Sequence, residues 1–304
     1  VGANTKAIAL GAGDDSVTWT AAALGAGGTI DGGAGSDTVA LTAANAATAT
    51  STATLGAAFA ASVSNFEKFG VGATAGTTVI DAQYIDGITH IVSAGSAATS
   101  TLTVNNLAAN STFESTAAQA SAVTLNLKDT TGLSDVLNLK FSAADGFVNT
   151  AAITAAGVET LNITTLDTDT TAPTTAFDAD VTATSVKSVV VAGNVGIDLT
   201  GLTAVTLTSF DASGVTATGA AGAVTLTTGA LTAVATLTGG AGNDLINAAA
   251  ATKAVTLTGG AGNDALTGSA TVASILNGGE GNDTLVGGAA ADTINGGAGN
   301  DIIS

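Results

Sequence analysis

A glycine- and aspartate-rich hexapeptide recurs four times in the last third of the chain. Each copy reads Gly-Gly-x-Gly-Asn-Asp, with an apolar residue two positions later, and the copies begin at Gly239, Gly259, Gly278 and Gly296. Glycine permits the positive φ angles that curl backbone carbonyls toward one point, and the final Asp adds a carboxylate. Turns of this composition offer hard oxygen ligands at flexible angles, which are the ligands that calcium prefers.

The spacing of the copies decides which turns lie next to one another. A coil of two nonapeptides is 18 residues long, and the copies follow at steps of 20, 19 and 18 residues. They are therefore predicted to stack on one edge, with three calcium ions held between Asp244, Asp264, Asp283 and Asp301. A degenerate copy that begins at Gly287 has only Asp292, so the opposite edge is predicted to be nearly free of metal.

Two looser turns, residues 10–17 and 32–39, lie near the N-terminus and are 22 residues apart. Asp15 and Asp37 are predicted to hold one further ion between them. The residues predicted to form all of these calcium sites are Gly11, Gly13, Asp15, Gly33, Gly35, Asp37, Gly239, Gly240, Gly242, Asn243, Asp244, Gly259, Gly260, Gly262, Asn263, Asp264, Gly278, Gly279, Gly281, Asn282, Asp283, Asp292, Gly296, Gly297, Gly299, Asn300 and Asp301.

Charge and composition narrow the classes of function. The 304 residues include 24 acidic groups against six lysines, for a net charge of −18, which disfavours nucleic acid and anionic membrane surfaces as partners. There is no Cys and a single histidine, His90, so zinc–thiolate sites and a His-Glu-x-x-His protease motif are impossible. No apolar run is long enough to cross a membrane, and the Gly-x-Ser-x-Gly lipase elbow does not occur. No enzyme is predicted.

Apolar residues alternate with Thr, Asn and Ser at period two, which indicates β-strands. Leu237, Leu257, Leu276 and Ile294 repeat with the same steps as the glycine turns. A strand followed by a turn in a coil of about 19 residues predicts an all-β fold, a parallel β-solenoid or β-roll. Leu207 and Leu226 lie in similar segments, but the 11-residue step from Leu226 to Leu237 leaves open a half-coil shift or a loop.

Three zones are predicted from the regularity of these repeats. Residues 1–45 hold the two loose turns, residues 46–195 form an irregular solenoid section, and residues 196–304 form a regular roll whose pattern is expected to continue beyond Ser304. The only helix considered is a short one over residues 57–63.

The glycine–aspartate turns resemble those of the RTX family, bacterial proteins exported by type I secretion. The resemblance implies a parallel β-roll, a chain that is unfolded inside the cell and calcium-triggered folding outside it. The Ala-, Thr-, Val- and Asn-rich middle, including residues 63–69 and 156–163, resembles that of S-layer proteins of Gram-negative bacteria that contain RTX repeats.

The function predicted from these features is mechanical. The protein is expected to be a secreted, calcium-stiffened subunit that assembles with itself into an S-layer on the bacterial surface, and a cell-surface polysaccharide is a further candidate partner. A secreted RTX adhesin, a matrix or fibre protein and an ice-binding solenoid with ranks of Thr-x-Thr are the alternatives. Membrane insertion is not expected.

Several remaining residues have ordinary structural interpretations. His90, Glu67 and Glu159 are expected to face solvent at or near strands, and Trp19 and Tyr84 to lie in the core or at its rim. Asp167-x-Asp169 is interpreted as an acidic loop before Pro173, because the glycine and the terminal Glu of an EF-hand loop are absent.

Overall fold

The computed structural model describes residues 7–20, 28–85, 87–169, 171 and 176–304. Contacts between Cα atoms divide the chain into two compact units, Val1–Thr130 and Thr131–Ser304. The division into three zones predicted from the sequence concerns the regularity of the repeat, and it stays a prediction. Pro173 lies outside the described residues.

Unit 1 consists of short parallel strands and two short helices. Its strands are β1 (Ala7–Ala9), β2 (Ser16–Trp19), β3 (Thr29–Asp31), β4 (Thr38–Leu41), β5 (Val63–Ser64), β6 (Lys68–Val71), β7 (Thr77–Asp81), β8 (His90–Ser93), β9 (Thr101–Leu107), β10 (Thr112–Ser115) and β11 (Val123–Leu127). They pair in parallel as β1-β3-β5, β2-β4-β6-β8-β10 and β7-β9-β11.

Two α-helices interrupt the coils of unit 1, α1 (Ala43–Ala49) and α2 (Ala53–Ala60). Each begins after a threonine whose hydroxyl accepts a backbone N–H of the first turn, Thr42 from Asn45 and Thr52 from Leu55. The helix expected at residues 57–63 was placed too far along the chain, because α2 ends at Ala60 and β5 begins at Val63. None of the helices in the described residues is long and apolar enough to cross a bilayer.

Helix α2 contributes an aromatic side chain to the core of unit 1. Phe59 stacks on Trp19 at a ring-centroid distance of 5.6 Å and meets Phe69 edge-on at 5.7 Å. All three side chains are buried, so Trp19 is a core residue, whereas Tyr84 is half-buried in a 3₁₀ turn, Ala82–Tyr84.

Unit 2 is a more extensive set of parallel strands. They are β12 (Val136–Ala143), β13 (Ile153–Ala156), β14 (Thr160–Asp167), β15 (Phe177–Asp178), β16 (Val181–Thr182), β17 (Ser188–Gly193), β18 (Ile197–Leu199), β19 (Ser209–Val215), β20 (Val224–Thr227), β21 (Ala235–Thr238), β22 (Leu245–Asn247), β23 (Val255–Ala261), β24 (Ala265–Thr267), β25 (Ile275–Glu280), β26 (Thr284–Val286), β27 (Thr293–Ala298) and β28 (Ile302–Ile303). A 3₁₀ turn, Ala220–Gly222, precedes β20.

From β17 onward, successive strands of unit 2 alternate between two sheets. One sheet has the order β12-β14-β17-β19-β21-β23-β25-β27, the other has the order β15-β18-β20-β22-β24-β26-β28, and β13 pairs with β16. Every named pair is parallel. The predicted all-β parallel β-solenoid is therefore confirmed.

The register explains the 11-residue step that the sequence left open. Leu237 pairs with Leu257 in one sheet, whereas Leu226 pairs with Ile246 in the other. The step is therefore a half-coil shift. The rung below Leu237, meaning the residue paired with it on the preceding strand, is Phe210. Leu207, which lies in a segment of similar sequence, is buried but falls before β19 and outside the described strands.

The apolar ladder inside unit 2 predicts a large loss of stability on truncation. Leu257 is 0% exposed between Leu237 and Leu276, so Leu257→Ala leaves a cavity in the stack. We expect it to lower the free energy of unfolding by about 2–5 kcal/mol, measured by denaturant unfolding in calcium. Leu133→Ala is the matched control, because Leu133 is 83% exposed and its truncation should change stability by no more than about 0.5 kcal/mol. Equal losses in the two variants would contradict the ladder.

Candidate calcium sites

The four glycine–aspartate turns of unit 2 stack on one edge, here called the Asp edge. The strands that follow them pair as Leu245 with Ala265, Ala265 with Thr284 and Thr284 with Ile302. The residue before each strand therefore shares one register position. That position is occupied by Asp244, Asp264, Asp283 and Asp301.

Each carboxylate on the Asp edge binds the coil before it. Oδ1 of Asp264 accepts the backbone N–H of Asp244 at 2.8 Å, and Oδ1 of Asp283 accepts that of Asp264 at 2.8 Å. Likewise, Oδ1 of Asp301 accepts the backbone N–H of Asp283 at 3.0 Å. One oxygen of each carboxylate thus ties adjacent coils together. The second oxygen, Oδ2, is left to serve a ligand in Asp264 and Asp283, whereas Oδ2 of Asp244 accepts the N–H of Gly240.

The asparagines of the same turns make a second ladder in the opposite direction. Oδ1 of Asn243 accepts the N–H of Asn263 from the following coil at 2.9 Å, and Oδ1 of Asn263 accepts that of Asn282 at 2.7 Å. Oδ1 of Asn282 accepts that of Asn300 at 2.7 Å. These amides are exposed at the surface and their Oδ1 atoms hold the neighbouring turn, which favours a structural role for them over direct metal ligation.

The first glycine of each repeat leaves room for oxygen atoms. A Cβ built on Gly259 would lie 2.1 Å from Oδ2 of Asp264 and 2.5 Å from the carbonyl oxygen of Gly278. At Gly239 and Gly278, a Cβ would likewise meet Oδ2 of the Asp in the same turn and the carbonyl oxygen of the first glycine in the next turn. A carboxylate oxygen and a carbonyl oxygen therefore converge beside each of these glycines.

The second and fourth glycines need backbone angles that other residues rarely adopt. Gly260 has φ +120° and Gly262 has φ +121°, and a Cβ on either would lie within about 2.2 Å of a carbonyl oxygen of the preceding coil. The next two turns repeat these angles, but Gly240 and Gly242 do not have positive φ. The first turn of the Asp edge therefore differs in backbone conformation from the other three.

Burial makes the carboxylates of the Asp edge costly without a cation. Asp264 and Asp283 are 2% and 1% exposed, and the Oδ2 atom of each is buried with no hydrogen-bond partner. Burial raises the pKa of Asp264 to about 7. The hydrogen bond from the backbone N–H of Asp244 lowers this pKa, and the negative charges of Asp244 and Asp283 raise it. Burial likewise raises the pKa of Asp244 to about 6, although hydrogen bonds from Gly240 and Val224 oppose it. Buried ionised groups with free oxygens call for a positive charge.

The donor set fits calcium. No group of three His, Cys, Asp or Glu side chains converges as a metal cluster in the described part of the chain. The site consists instead of one carboxylate per turn together with backbone carbonyls, which are hard oxygens with flexible geometry. Which of the predicted glycine and asparagine residues contact the ion stays a prediction, while Asp264 and Asp283 have the free buried oxygens that a ligand needs.

The opposite edge of unit 2 follows a different series. Oδ1 of Asp292 accepts the N–H of Ser274 at 2.8 Å, which is the bond made by the carboxylates on the Asp edge. Ile275 pairs with Thr256, so the residue before it, Ser274, is aligned with Val255, the first residue of β23. Asp292 is therefore the only carboxylate in a series of Val255, Ser274 and Asp292.

A turn that the sequence analysis missed lies beneath the Asp edge. Residues 219–224 form a degenerate glycine turn in which Val224 holds the register position of Asp244, and the N–H of Val224 donates to Oδ1 of Asp244 at 2.7 Å. The spacing of Gly219 and Gly222, which equals that of Gly239 and Gly242, was the available signal. The valine explains why the series of carboxylates begins at Asp244.

The N-terminal turns reproduce the arrangement in unit 1. Oδ1 of Asp37 accepts the N–H of Asp15 at 2.7 Å, and Ala12 bridges to Ala34 in parallel. Asp14 plays the part of the asparagine ladder, because its Oδ1 accepts the N–H of Ser36 at 2.9 Å. The four predicted glycines of these turns, Gly11, Gly13, Gly33 and Gly35, all have positive φ.

Other residues depart from their sequence-based interpretations. His90 is half-buried, not solvent-facing, and its Nε2 lies 2.8 Å from Oε2 of the buried Glu114. Glu67 is exposed as expected, but its carboxylate accepts a backbone N–H, and the half-buried Glu159 accepts that of Asp135.

The acidic Asp167-x-Asp169 segment begins inside a strand. Asp167 is the last residue of β14 and is 5% exposed, and its Oδ1 accepts the N–H of Asp169 at 3.2 Å. The segment is therefore a strand end followed by a turn, with one buried carboxylate.

The raised pKa values predict that stability responds to pH in opposite ways with and without calcium. A carboxyl whose pKa is higher in the folded chain than in the unfolded chain destabilises the fold as it ionises. The calcium-free protein should therefore lose stability between about pH 4 and about pH 7, the range set by the pKa values of Asp244 and Asp264. Calcium binds the ionised form, so calcium should stabilise the fold most above about pH 7. Thermal unfolding in chelator and in calcium across this range measures both trends, and parallel curves would contradict the assignment.

Comparison with known families bears on the same segments. A family model of the RTX calcium-binding nonapeptide repeat matches four stretches, residues 29–43, 236–251, 249–270 and 274–304. They contain Asp37 and the whole Asp edge, and they leave out the turn at residues 10–17. No curated protein sequence gives a significant match. The matched repeats, the stacked turns and the free buried carboxylate oxygens agree on calcium as the bound ion, and the chain contains RTX-type calcium-binding repeats in these segments.

Proposed function

We propose that the protein is a structural component of the bacterial cell surface, a calcium-stiffened solenoid that assembles with itself into an S-layer. The observation that supports this most directly is the Asp edge, where buried carboxylates stack in register with free oxygens. A fold that contains such a stack depends on the cation for its stability, so calcium acts as a structural element.

The dependence on calcium fits a protein that folds outside the cell. RTX-repeat proteins are typically secreted, and calcium is scarce in the cytoplasm where they are made. Without the ion, the stacked charges of Asp244, Asp264 and Asp283 repel one another across adjacent coils. The chain would then stay unfolded during export and become rigid on the surface.

Self-assembly is supported by the balance of charge. With 24 acidic residues against six lysines, copies of the chain repel one another at neutral pH. Calcium bound to the acidic turns lowers that repulsion, so one ion would promote both folding and association. Attachment to a cell-surface polysaccharide is a second proposed contact.

A catalytic role is disfavoured by the surroundings of the only imidazole. The register neighbours of His90 on the two adjacent strands are Lys68 and Thr112, so no serine nucleophile lies beside it at these positions. The grooves described in unit 1 are lined mainly by Ala, Gly, Val and Thr.

An ice-binding function is disfavoured by the distribution of threonines. The Thr-x-Thr segment of β20 lies in one sheet and those of β21 and β23 lie in the other. Within the second sheet, Thr236 and Thr256 are followed in register by Ile275, which interrupts the rank. A flat, continuous threonine surface is therefore not formed by these residues.

Removal of calcium is the direct test of the proposed function. Purified protein should form sheets in millimolar calcium, visible by negative-stain electron microscopy, and lose them together with its β-sheet circular dichroism in excess chelator. Magnesium at the same concentration is the control for ionic strength. Monomers in calcium would exclude the S-layer, fibres would favour the matrix alternative, and sheets that survive chelation would exclude calcium as the stiffening element.

Substitutions on the two edges separate their contributions. Asp264→Ala and Asp283→Ala should each lower the number of bound calcium ions and the thermal midpoint in calcium, because each removes a buried carboxylate from the Asp edge. Asp292→Ala is the matched control on the opposite edge and should have a much smaller effect. Calorimetric titration and thermal unfolding measure the two quantities, and equal losses in all three variants would contradict a one-sided array.

A further inference from the structure

A third turn of unit 1 continues the carboxylate series of the two N-terminal turns. Strands β4 and β6 pair in parallel with Thr38 opposite Lys68, so the residue before each strand shares a register position. Those residues are Asp37 and Glu67. The turn that contains Glu67 begins at Asn65 and lacks the glycine signature, and the RTX family match in this part of the chain ends at residue 43.

Glu67 makes the backbone contacts that define the Asp edge. Its Oε2 accepts the N–H of Asp37 at 2.7 Å, as Oδ1 of Asp283 accepts that of Asp264 at 2.8 Å. The following N–H, from Lys68, donates to the carbonyl of Asp37 at 2.9 Å, as that of Thr284 donates to Asp264 at 2.8 Å. The carboxylate of Glu67 thus substitutes for the Asp of an RTX turn.

Asn65 supplies the carbonyl that a first glycine supplies elsewhere. A Cβ built on Gly32 would lie 2.1 Å from the carbonyl oxygen of Asn65 and 2.9 Å from Oδ2 of Asp37. This is the pair of oxygens found beside Gly259, from the carboxylate of its own turn and the carbonyl of the next coil. The N–H of Gly32 also donates to the carbonyl of Ser64 at 2.9 Å, which matches the bond from Gly239 to Thr258 at 2.9 Å.

The two turns reach the same geometry with different lengths. The segment from Asn65 to Glu67 has three residues, whereas the segment from Gly259 to Asp264 has six. Asn65 adopts φ +55°, a left-handed conformation that asparagine tolerates, and so closes the shorter turn. Glu has one more methylene than Asp, and that extra length lets its carboxylate reach the amide of Asp37.

Asp37 is the independent sign of a ligand at this position. It is 0% exposed, its Oδ1 accepts the N–H of Asp15, and its Oδ2 is buried without a hydrogen-bond partner. No ion pair joins Asp37 to a lysine in the part of the chain that the structure describes, so no lysine neutralises its charge. A fully buried carboxylate with one free oxygen, facing a carbonyl and next to a second carboxylate, favours a bound cation over an unneutralised charge.

We propose that a divalent cation of the calcium class binds between Asp37 and Glu67, with the carbonyl of Asn65 as a third ligand. This site is additional to the one predicted between Asp15 and Asp37. Carboxylate and carbonyl oxygens are hard ligands, and two carboxylates match the charge of a divalent ion. The short turn of Asn65 thereby extends the calcium series of unit 1 by one coil.

The test is a count of calcium ions bound to the full-length chain. Glu67→Gln keeps the size of the side chain and removes its charge, so it should bind one calcium ion fewer than the unaltered protein in equilibrium dialysis. Glu280→Gln is the matched control, because Glu280 is an exposed glutamate outside the carboxylate positions of the turns. It should leave the count unchanged. An unchanged count in Glu67→Gln would overturn the proposal.

A local signal and a milder variant keep the test decisive if Glu67→Gln folds poorly. Trp19, the only tryptophan, lies in the core of unit 1 and can sensitise terbium bound nearby. Glu67→Asp retains the charge but shortens the side chain, so one terbium-binding step should weaken on the order of tenfold while the others stay. A terbium titration identical to that of the unaltered protein would overturn the proposal, even if calcium still stiffens unit 2 and drives assembly.

Discussion

The main physical constraint on this structure is the unfavourable free energy of burying charged aspartate carboxylates that each have one oxygen without a hydrogen-bond partner. Asp264 and Asp283 sit almost fully out of solvent, in register, with their neighbours of like charge one coil away. A backbone N–H donates to Oδ1 in each case and fixes the alignment of neighbouring coils, but these hydrogen bonds do not neutralise the negative charge. The apolar ladders that contain Leu257 and Ile246 can hold the two sheets together, yet above about pH 7 a cation is needed to offset the charge of the edge that joins them. The fold and the ion are for this reason parts of one equilibrium.

The aspartate and asparagine ladders of the Asp edge form hydrogen bonds in opposite directions along the stack of coils. The aspartates reach back to the preceding coil and the asparagines reach forward to the following one, so each turn is fixed from both sides. Because the asparagine oxygens are used in this way, the free carboxylate and carbonyl oxygens remain as the natural ligands. Unit 1 builds the same arrangement with different residues, using Asp14 in place of asparagine and Glu67 in place of aspartate.

The sequence predicted the regular parts of the fold and missed the irregular ones, for physical reasons. Steps of 18–20 residues place Asp244, Asp264, Asp283 and Asp301 on one edge because each step equals the length of one complete coil. The same reasoning could not decide the half-coil step at Leu226, since a loop of equal length gives the same spacing. Helix α1 was missed because alanine and threonine are common to strands and helices here, and only Thr42 as an N-cap distinguishes it. Val224, Ser274 and Glu67 were missed because register, and not a motif, gives them their positions.

The alternation of strands between two sheets restricts how this chain can change in length. Adding or removing 18–20 residues inserts or deletes a whole coil, and every leucine and aspartate beyond that point returns to its own stack. Adding about half that number would exchange the sheets and move the carboxylates to the edge where Val255 and Ser274 lie. Proteins with this architecture can therefore grow or shrink by duplication of complete coils, and the length of the solenoid is a property that can vary while its cross-section stays the same.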